Sequence, residues 1–303
     1  MLKGIWGVSA IAFSFFFSGT SFADLDIITR VSVGMDLTCA STTGGVRCWG
    51  EDWRYGRFIE NERPPGVPLV ENNLVALGNS HFCMTTSPTK VQCFGGTTND
   101  DSVPTGLGTI YDLQARGYHT CALSSTGLFC WGDSILNSRK FKPVGAITAM
   151  AVGEEFICVS GEKGVDCWAT PNRYASDFIP PTDLGPVKQL SAGDDHVCAL
   201  TLTNQVKCWG KDGRGQLEVP NDLKDVRQVS SGSEFSCAIV DGGANVRCWG
   251  KDSDNQATVP QSKWTRVHSI TAGISHACAI TDTGTHCWGG NYNYGDQKPD
   301  DLF

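Results

Sequence analysis

Four of the six histidines stand at one recurring address, two residues before a cysteine: His81, His119, His196 and His276. Histidine at a repeated position could hold a metal or move a proton. In three further copies of the same address the chain writes Leu37, Phe156 and Phe235. A position that accepts leucine or phenylalanine is a packing position, so these histidines are read as structural. His268 and His286 have no partner at a zinc-ligand spacing. The chain has no His-Glu-x-x-His, no Gly-x-Ser-x-Gly and no phosphate-binding glycine loop. Asp194-Asp195 and Asp100-Asp101 are adjacent carboxylates, but neither has the alternating spacing of a calcium loop. They are read as solvated turns. The sequence therefore leads us to expect no catalytic residue, no metal site and no cofactor, and a protein that is not an enzyme.

The cysteines carry the second pattern. They fall into seven short pairs: Cys39/Cys48, Cys83/Cys93, Cys121/Cys130, Cys158/Cys167, Cys198/Cys208, Cys237/Cys248 and Cys278/Cys287. All 14 are used. There is no Cys-x-x-Cys, which argues against zinc, and an even set of evenly spaced pairs argues for disulfides in an oxidising compartment. First cysteines recur 44, 38, 37, 40, 39 and 41 residues apart. A period near 40 means one supersecondary unit stacked in space.

These residues need strands to position them. A β-branched stretch precedes each unit's glycine, as in Ser269-Ile270-Thr271-Ala272; a second surrounds the first cysteine; turn residues follow; the second cysteine lies on a third strand, often ahead of Trp-Gly. The two cysteines of a unit thus fall on adjacent antiparallel strands, within disulfide reach if directly opposed. Closing a loop of about ten residues stabilises a unit by roughly 2.5–3 kcal/mol in the loop-entropy model. Pro88 in the turn of the second unit makes that pair the hardest to place. Trp49, Trp131, Trp168, Trp209, Trp249 and Trp288, with Phe94 in the remaining unit, are read as packing between neighbours. Seven sheet units suggest an all-β, seven-bladed propeller with one disulfide-bonded hairpin per blade. The tail Pro299-Asp300-Asp301-Leu302 stops where a next unit would begin, and Ile27 to Val33 supplies the strand that is missing there. The N-terminal strand is therefore expected to close the ring.

Residues 1–23 read as a cleaved export signal: Lys3, an apolar stretch from Ile5 to Phe17, then Ser21-Phe22-Ala23. Residues 24–303 read as the propeller. Acidic residues outnumber basic ones, 32 to 24, for a net charge of −8. Nucleic acid and anionic membranes are bound through lysine and arginine, so neither is an expected partner. No span is expected after the signal, and the chain is read as a secreted or periplasmic monomer.

The units resemble a known repeat. Gly193, His196, Cys198, Ala199, Leu200, Trp209, Gly210, Gly215, Gln216 and Leu217 are similar to the repeat of the regulator of chromosome condensation family. The short units with Val-Pro (Val103-Pro104, Val219-Pro220, Val259-Pro260) look like its secreted bacterial branch, which includes a propeller-type protein inhibitor of β-lactamase. The resemblance implies a seven-bladed propeller that binds other proteins by loops on one face. The third unit departs from it, with its glycine shifted to Gly117, and the fourth has Ala169 where Trp-Gly would end.

Loops outside a repeat consensus carry function more often than the scaffold. Those after Trp-Gly hold Trp53, Tyr55, Arg57 and Phe58, then Tyr174 and Phe178, then Tyr292 and Tyr294. Aromatic rings and arginine are what protein-binding hot spots use. They are the candidate partner-binding residues; packing over the rim of their own blade is the competing reading. The expectation is an exported, non-enzymatic propeller binding a protein partner, as an inhibitor or adhesion module. The alternatives are an enzyme with a polar pocket on the axis, and a lectin-like propeller that binds glycan.

Overall fold

A computed structural model describes residues 28–35, 37–52, 57–62, 73–95, 103–132, 146–169, 175–260 and 264–290, with 51–52, 57–62 and 175 described by backbone alone. It is all β, arranged as seven antiparallel sheets, each built from consecutive strands. Blade one comprises β1 (Ile28–Val33), β2 (Leu37–Thr42), β3 (Gly45–Asp52) and β4 (Arg57–Glu62). Blade two has β5 (Val75–Leu77), β6 (Phe82–Ser87) and β7 (Lys90–Phe94); blade three has β8 (Ile110–Arg116), β9 (His119–Ser124) and β10 (Gly127–Gly132). Blade four has β11 (Ile147–Val152), β12 (Phe156–Gly161) and β13 (Gly164–Ala169); blade five has β14 (Val187–Ala192), β15 (His196–Thr201) and β16 (Val206–Gly210). Blade six has β17 (Gln228–Ser231), β18 (Phe235–Val240) and β19 (Asn245–Gly250); blade seven has β20 (Val267–Ala272), β21 (His276–Thr281) and β22 (Gly284–Gly289).

The register explains the cysteine spacing. In all seven blades the two cysteines are directly opposed across the second and third strands. The disulfides are Cys39–Cys48, Cys83–Cys93, Cys121–Cys130, Cys158–Cys167, Cys198–Cys208, Cys237–Cys248 and Cys278–Cys287, each within one blade, with Cα atoms 4.0–4.1 Å apart. The pairing is the expected one, but the two ends of a bridge are not always equally covered. The first cysteine of every blade is buried, and in blades one to three so is the second. In blades four to seven the second cysteine, Cys167, Cys208, Cys248 or Cys287, is only partly buried. These four lie on third strands, toward the rim, and pack at the edge of a cluster rather than inside it. The Pro88 turn is accommodated by a register shift between Thr85 and Ser87, beyond the cysteine pair.

Seven hydrophobic clusters form the core, and each joins two consecutive blades. Phe94 of blade two packs on Cys39 and Cys48 of blade one. Trp131 covers Cys83 and Cys93, and Trp168 covers Cys121 and Cys130. Trp209, Trp249 and Trp288 continue the series against Cys158–Cys167, Cys198–Cys208 and Cys237–Cys248. The seventh cluster sets Trp49 of blade one on Cys278 and Cys287 of blade seven, together with Ile28, Val31 and Val33. The rings therefore cover the preceding blade's disulfide, which is the packing role expected of them. The same cluster closes the ring. β1 pairs with β2 inside blade one and faces blade seven, where Thr271 Oγ1 donates to the Val31 carbonyl at 2.9 Å. The tail after residue 290, whose phase suggested closure, lies outside the described residues.

The first strand of every blade lines the axis. Five of these strands carry a register shift near their start, between Ile28 and Arg30, Ile110 and Asp112, Ile147 and Ala149, Val187 and Gln189, and Val267 and Ser269. A bulge places one extra residue and re-aims its side chain. The residues concerned, Thr29, Tyr111, Thr148, Lys188 and His268, are all exposed.

Candidate functional site

The repeated polar residues face neighbours, not a substrate. His81 Nε2 meets Thr120 Oγ1 of the next blade at 2.8 Å, His196 meets Ser236 Oγ at 2.8 Å, and His276 meets Thr38 Oγ1 at 2.9 Å. Where the address holds Leu37, Phe156 or Phe235, the facing residue is Phe82, Val197 or Ala277, which has no hydroxyl. His119 is the exception. It faces Ile157, and its Nε2 is buried without a partner. Burial lowers all four rings, to about 4 for His81, His119 and His276 and about 3 for His196. They are neutral structural groups. The glycine before each is a close-approach position: a Cβ on Gly193 would collide with the His196 ring and the Gly232 carbonyl of the next blade. The cysteines are structural in the same sense. No thiol is free among the described residues, so Cys167, Cys208, Cys248 and Cys287, though partly exposed, offer disulfide sulfur and no nucleophile or metal ligand.

Gln216 and Gln256, part of the loop signature after Trp-Gly, are buried as well. Trp249 Nε1 donates to the Gln216 carbonyl at 3.0 Å, and Trp288 Nε1 to that of Gln256 at 3.1 Å. Each glutamine's Oε1 accepts from a backbone N–H of its own loop, Arg214 at 2.7 Å and Asp254 at 2.8 Å. The loop thus hooks the next blade's tryptophan.

The first strands enclose an axial cavity of about 560 Å³. Its wall is laced by bonds from one blade to the next. The Gln189 amide donates to the Val229 carbonyl at 2.9 Å and accepts from the Val229 N–H at 3.0 Å. Gln228 does the same to Ile270, at 3.0 Å each way. Gln114 bridges the Met150 carbonyl and the Val152 N–H.

One mouth of this cavity carries charged groups in unusual settings. In six blades a glycine directly follows the first strand, but blade three places Arg116 at that position, still within β8, and its turn tightens onto Gly117 at φ +56°. Arg116, 7% exposed, reaches past blade four, and its Nε donates to Asp194 Oδ1 of blade five at 2.6 Å. The other Asp194 oxygen accepts from the Ser233 hydroxyl of blade six. Burial alone would raise the Asp194 carboxyl; Arg116 and Ser233 outweigh it and hold it below the usual range. Glu154, from the intervening blade, is raised by burial and by the charges of Asp194 and Asp195. Lys211 pairs with Asp195 at 3.1 Å, and Lys251 with Glu234 at 3.0 Å. The exposed ring and thioether at this mouth are Tyr118 (51%) and Met35 (39%).

In blades five and six the chain after Trp-Gly leaves on this same face. The Lys211 N–H bonds the Asp195 carbonyl at 2.8 Å, and the Lys251 N–H bonds that of Glu234 at 2.9 Å. Of the expected partner-binding residues, Trp53, Tyr55, Tyr174, Tyr292 and Tyr294 lie outside the described residues. Arg57 and Phe58 open β4, which pairs with β3. Phe178 does not stand free: it is 6% exposed and stacks on Phe156 with centroids 3.9 Å apart, so its ring fills its own blade. Sequence reasoning missed Arg116 and Glu154. Only the displaced glycine of the third unit marked the first. Among the described residues no group of three or more His, Cys, Asp or Glu could hold a metal ion.

Residues 187–216 and 226–256 match the Regulator of chromosome condensation (RCC1) repeat. A human protein, RCC1-like G exchanging factor-like protein, is 29% identical over 178 residues, covering 47% of this chain and 36% of that protein. The matched part is thus well under half of the curated relative. The CRINKLY WD40 ectodomain of the Arabidopsis thaliana receptor kinase ACR4 superimposes with a TM-score of 0.66 at 19% identity, over 88% of this chain and 97% of that one. Prp20p from Saccharomyces cerevisiae, whose crystal structure is described with its binding to Gsp1p and histones, gives 0.66 at 16%, over 87% and 82%. At these identities the likeness is one of fold.

Proposed function

We propose that this RCC1-like repeat propeller is an exported protein that binds a protein partner through the face where the loops after Trp-Gly surround the axial mouth. One observation carries the reading. The repeat's histidines, tryptophans, glutamines and cysteines are taken up by contacts within and between blades, so sequence variety is left to the loops that follow the third strands. Prp20p, alike in fold, is described with binding to Gsp1p and histones. The seven disulfides fit an oxidising compartment, and among the described residues no helix is long and apolar enough to cross a membrane. Residues 1–23 are the export signal in this reading, and the secreted bacterial branch is the place to look for the partner. Trp53, Tyr55, Arg57, Phe58, Tyr174, Tyr292 and Tyr294 remain the anchors proposed. The test is capture of a partner from envelope and secreted fractions by the chain from residue 24, repeated with Trp53→Ala and Tyr292→Ala together. A folded double variant that captures the same partner undiminished rejects these anchors.

The enzymatic reading keeps one observation in its favour: the environments of Glu154 and Asp194 push two neighbouring carboxyls in opposite directions. Both Asp194 oxygens are occupied by Arg116 and Ser233, which suits a fixed strut better than a reacting group. If an activity is found, Glu154→Gln should abolish it; if Glu154→Gln leaves it intact, the axial carboxyls are not its source.

A further inference from the structure

The opposite mouth of the axis has the opposite charge. Lys188 of blade five, Arg227 of blade six, and Arg266 and His268 of blade seven line one cavity of about 430 Å³. They come from equivalent places: Lys188 and His268 are bulged residues of β14 and β20, and Arg227 directly precedes β17. A bulge re-aims its side chain, and Lys188 and His268 both line this cavity. All four are exposed. Lys188 donates only to the neutral Asn204 amide, and among the described residues Arg227 and Arg266 form no ion pair. In a chain of net charge −8, cations from three successive blades thus gather at one cavity.

The surroundings are shaped for them. The Arg227 guanidinium lies over the turn at Gly242 and Gly243, where a Cβ would meet it at 3.7 and 3.3 Å. Two of the carboxylates nearby have hydrogen-bond donors of their own. Asp282 accepts from the backbone N–H groups of Thr265 and Arg266, both at 3.1 Å, and from the Thr265 hydroxyl. Asp241 accepts from the Asn245 amide at 2.8 Å. Across the axis Asp112 faces Arg30 at 4.0 Å. Leu200, Ile239 and Val267 give the cavity an apolar floor, and Gln189 and Gln228 add amides beside it.

We propose that this mouth is a binding site for a small polyvalent oxyanion, a polycarboxylate or a polyphosphate. Two guanidinium groups can each grip an oxyanion in bidentate fashion, while Lys188 and His268 add point donors on either side. The size suits a compact ligand, since small-molecule sites are typically about 300–1,000 Å³. The proposal does not depend on partner binding at the other face.

Titration calorimetry of the chain from residue 24 at low ionic strength, with citrate and with inorganic tripolyphosphate as probes, tests it. Saturable one-to-one binding of at least one probe is expected, and the preferred probe identifies the oxyanion class. Arg227→Gln and Arg266→Gln should each weaken it by roughly tenfold, and the pair by about a hundredfold, the scale of losing charge-assisted bidentate bonds. Lys188→Gln should weaken it less, as loss of one point donor. Lys251→Gln on the opposite face should leave binding unchanged. Thermal midpoints of the Lys188, Arg227 and Arg266 variants should match the parent, since those three groups are exposed. Heats that never saturate, or equal affinity in the parent and the double arginine variant, overturn the site. Partner capture by the double arginine variant should be undiminished, which separates the two readings.

Discussion

The single residue that best exposes the logic of the blades is His119. Three histidines find a hydroxyl on the next blade, and His119 finds Ile157 instead. A buried polar atom without a partner costs about 1–3 kcal/mol. Ile157→Thr should therefore be tolerated better than Val197→Thr, which would place a hydroxyl against Phe156. In urea unfolding the two variants should differ by about 1 kcal/mol in favour of Ile157→Thr; equal losses would show that the His119 ring is satisfied in another way. Arg116 supplies a second prediction. Arg116→Met strips the partly buried Asp194 of its counter-charge and should cost about 2 kcal/mol, while Arg116→Met with Asp194→Asn should recover part of it. The structural role of the histidines was readable because Leu37, Phe156 and Phe235 occupy the same address. Their pairing was not. The partner lies one blade onward and one residue later in the repeat, a relation that only the ring's order reveals. The reach of Arg116 past a whole blade was equally hidden.

At the scale of elements, the cysteine spacing left little to discover. Opposed positions on a tight hairpin are the one arrangement that keeps such pairs within reach, and peptide mapping without reduction should return seven bridges, each inside one blade. A bridge between blades, such as Cys48 to Cys83, would contradict the register. What the spacing did not carry is the uneven cover: Cys167, Cys208, Cys248 and Cys287 sit nearer solvent than Cys48, Cys93 and Cys130, although all seven follow their partners at similar distances in sequence. The row of tryptophans was also legible as packing, although its direction, each ring onto the preceding disulfide, was not. The bulges left no sequence mark. Nothing about Thr29, Tyr111, Thr148, Lys188 or His268 as residue types signals an extra residue, and two groups of the cationic mouth, Lys188 and His268, sit on such bulges. The loop aromatics were over-read at Phe178, because an exposed ring and one folded over the rim look alike in sequence. β1 carries the sharpest prediction here. It is the inner strand of blade one and half of the joint with blade seven. A chain starting at Gly34 should aggregate or melt far below one starting at Asp24; equal midpoints would mean that the seam holds without it.

For the whole molecule, the four buried histidines set a response to acid. Their ordinary value is 6.5 and their folded values are about 3 to 4. The unfolded chain therefore takes up protons first as pH falls. The stability they contribute is fully present above 6.5 and is lost progressively toward pH 4. The loss is on the order of 1 kcal/mol per pH unit for each ring. Glu154, being raised, runs the other way: its contribution is present below its unfolded value of 4.5 and fades as pH rises through the folded one. Denaturant midpoints measured against pH should thus be flat above 6.5 and fall steeply below it. Replacing His196 and Ser236 by Phe and Ala, which copies the pairing of Phe235 with Ala277, should reduce the slope by about a quarter. An unchanged slope would place the acid response elsewhere.

The closed ring also has a mechanical reading. Six of its seven joints are crossed by the chain, and among the described residues the joint between blades seven and one is held by packing and hydrogen bonds alone. Tension applied through the two ends of the described fold, Ile28 and Gly290, pulls directly across that joint. Blades should then peel one at a time from the seam, like links leaving a clasp. Each link can release only part of its contour, because its disulfide withholds a hairpin of 9–11 residues. Stretching single molecules between the termini should give steps of roughly 100 Å at about 3.5 Å per freed residue, lengthening once the bridges are reduced.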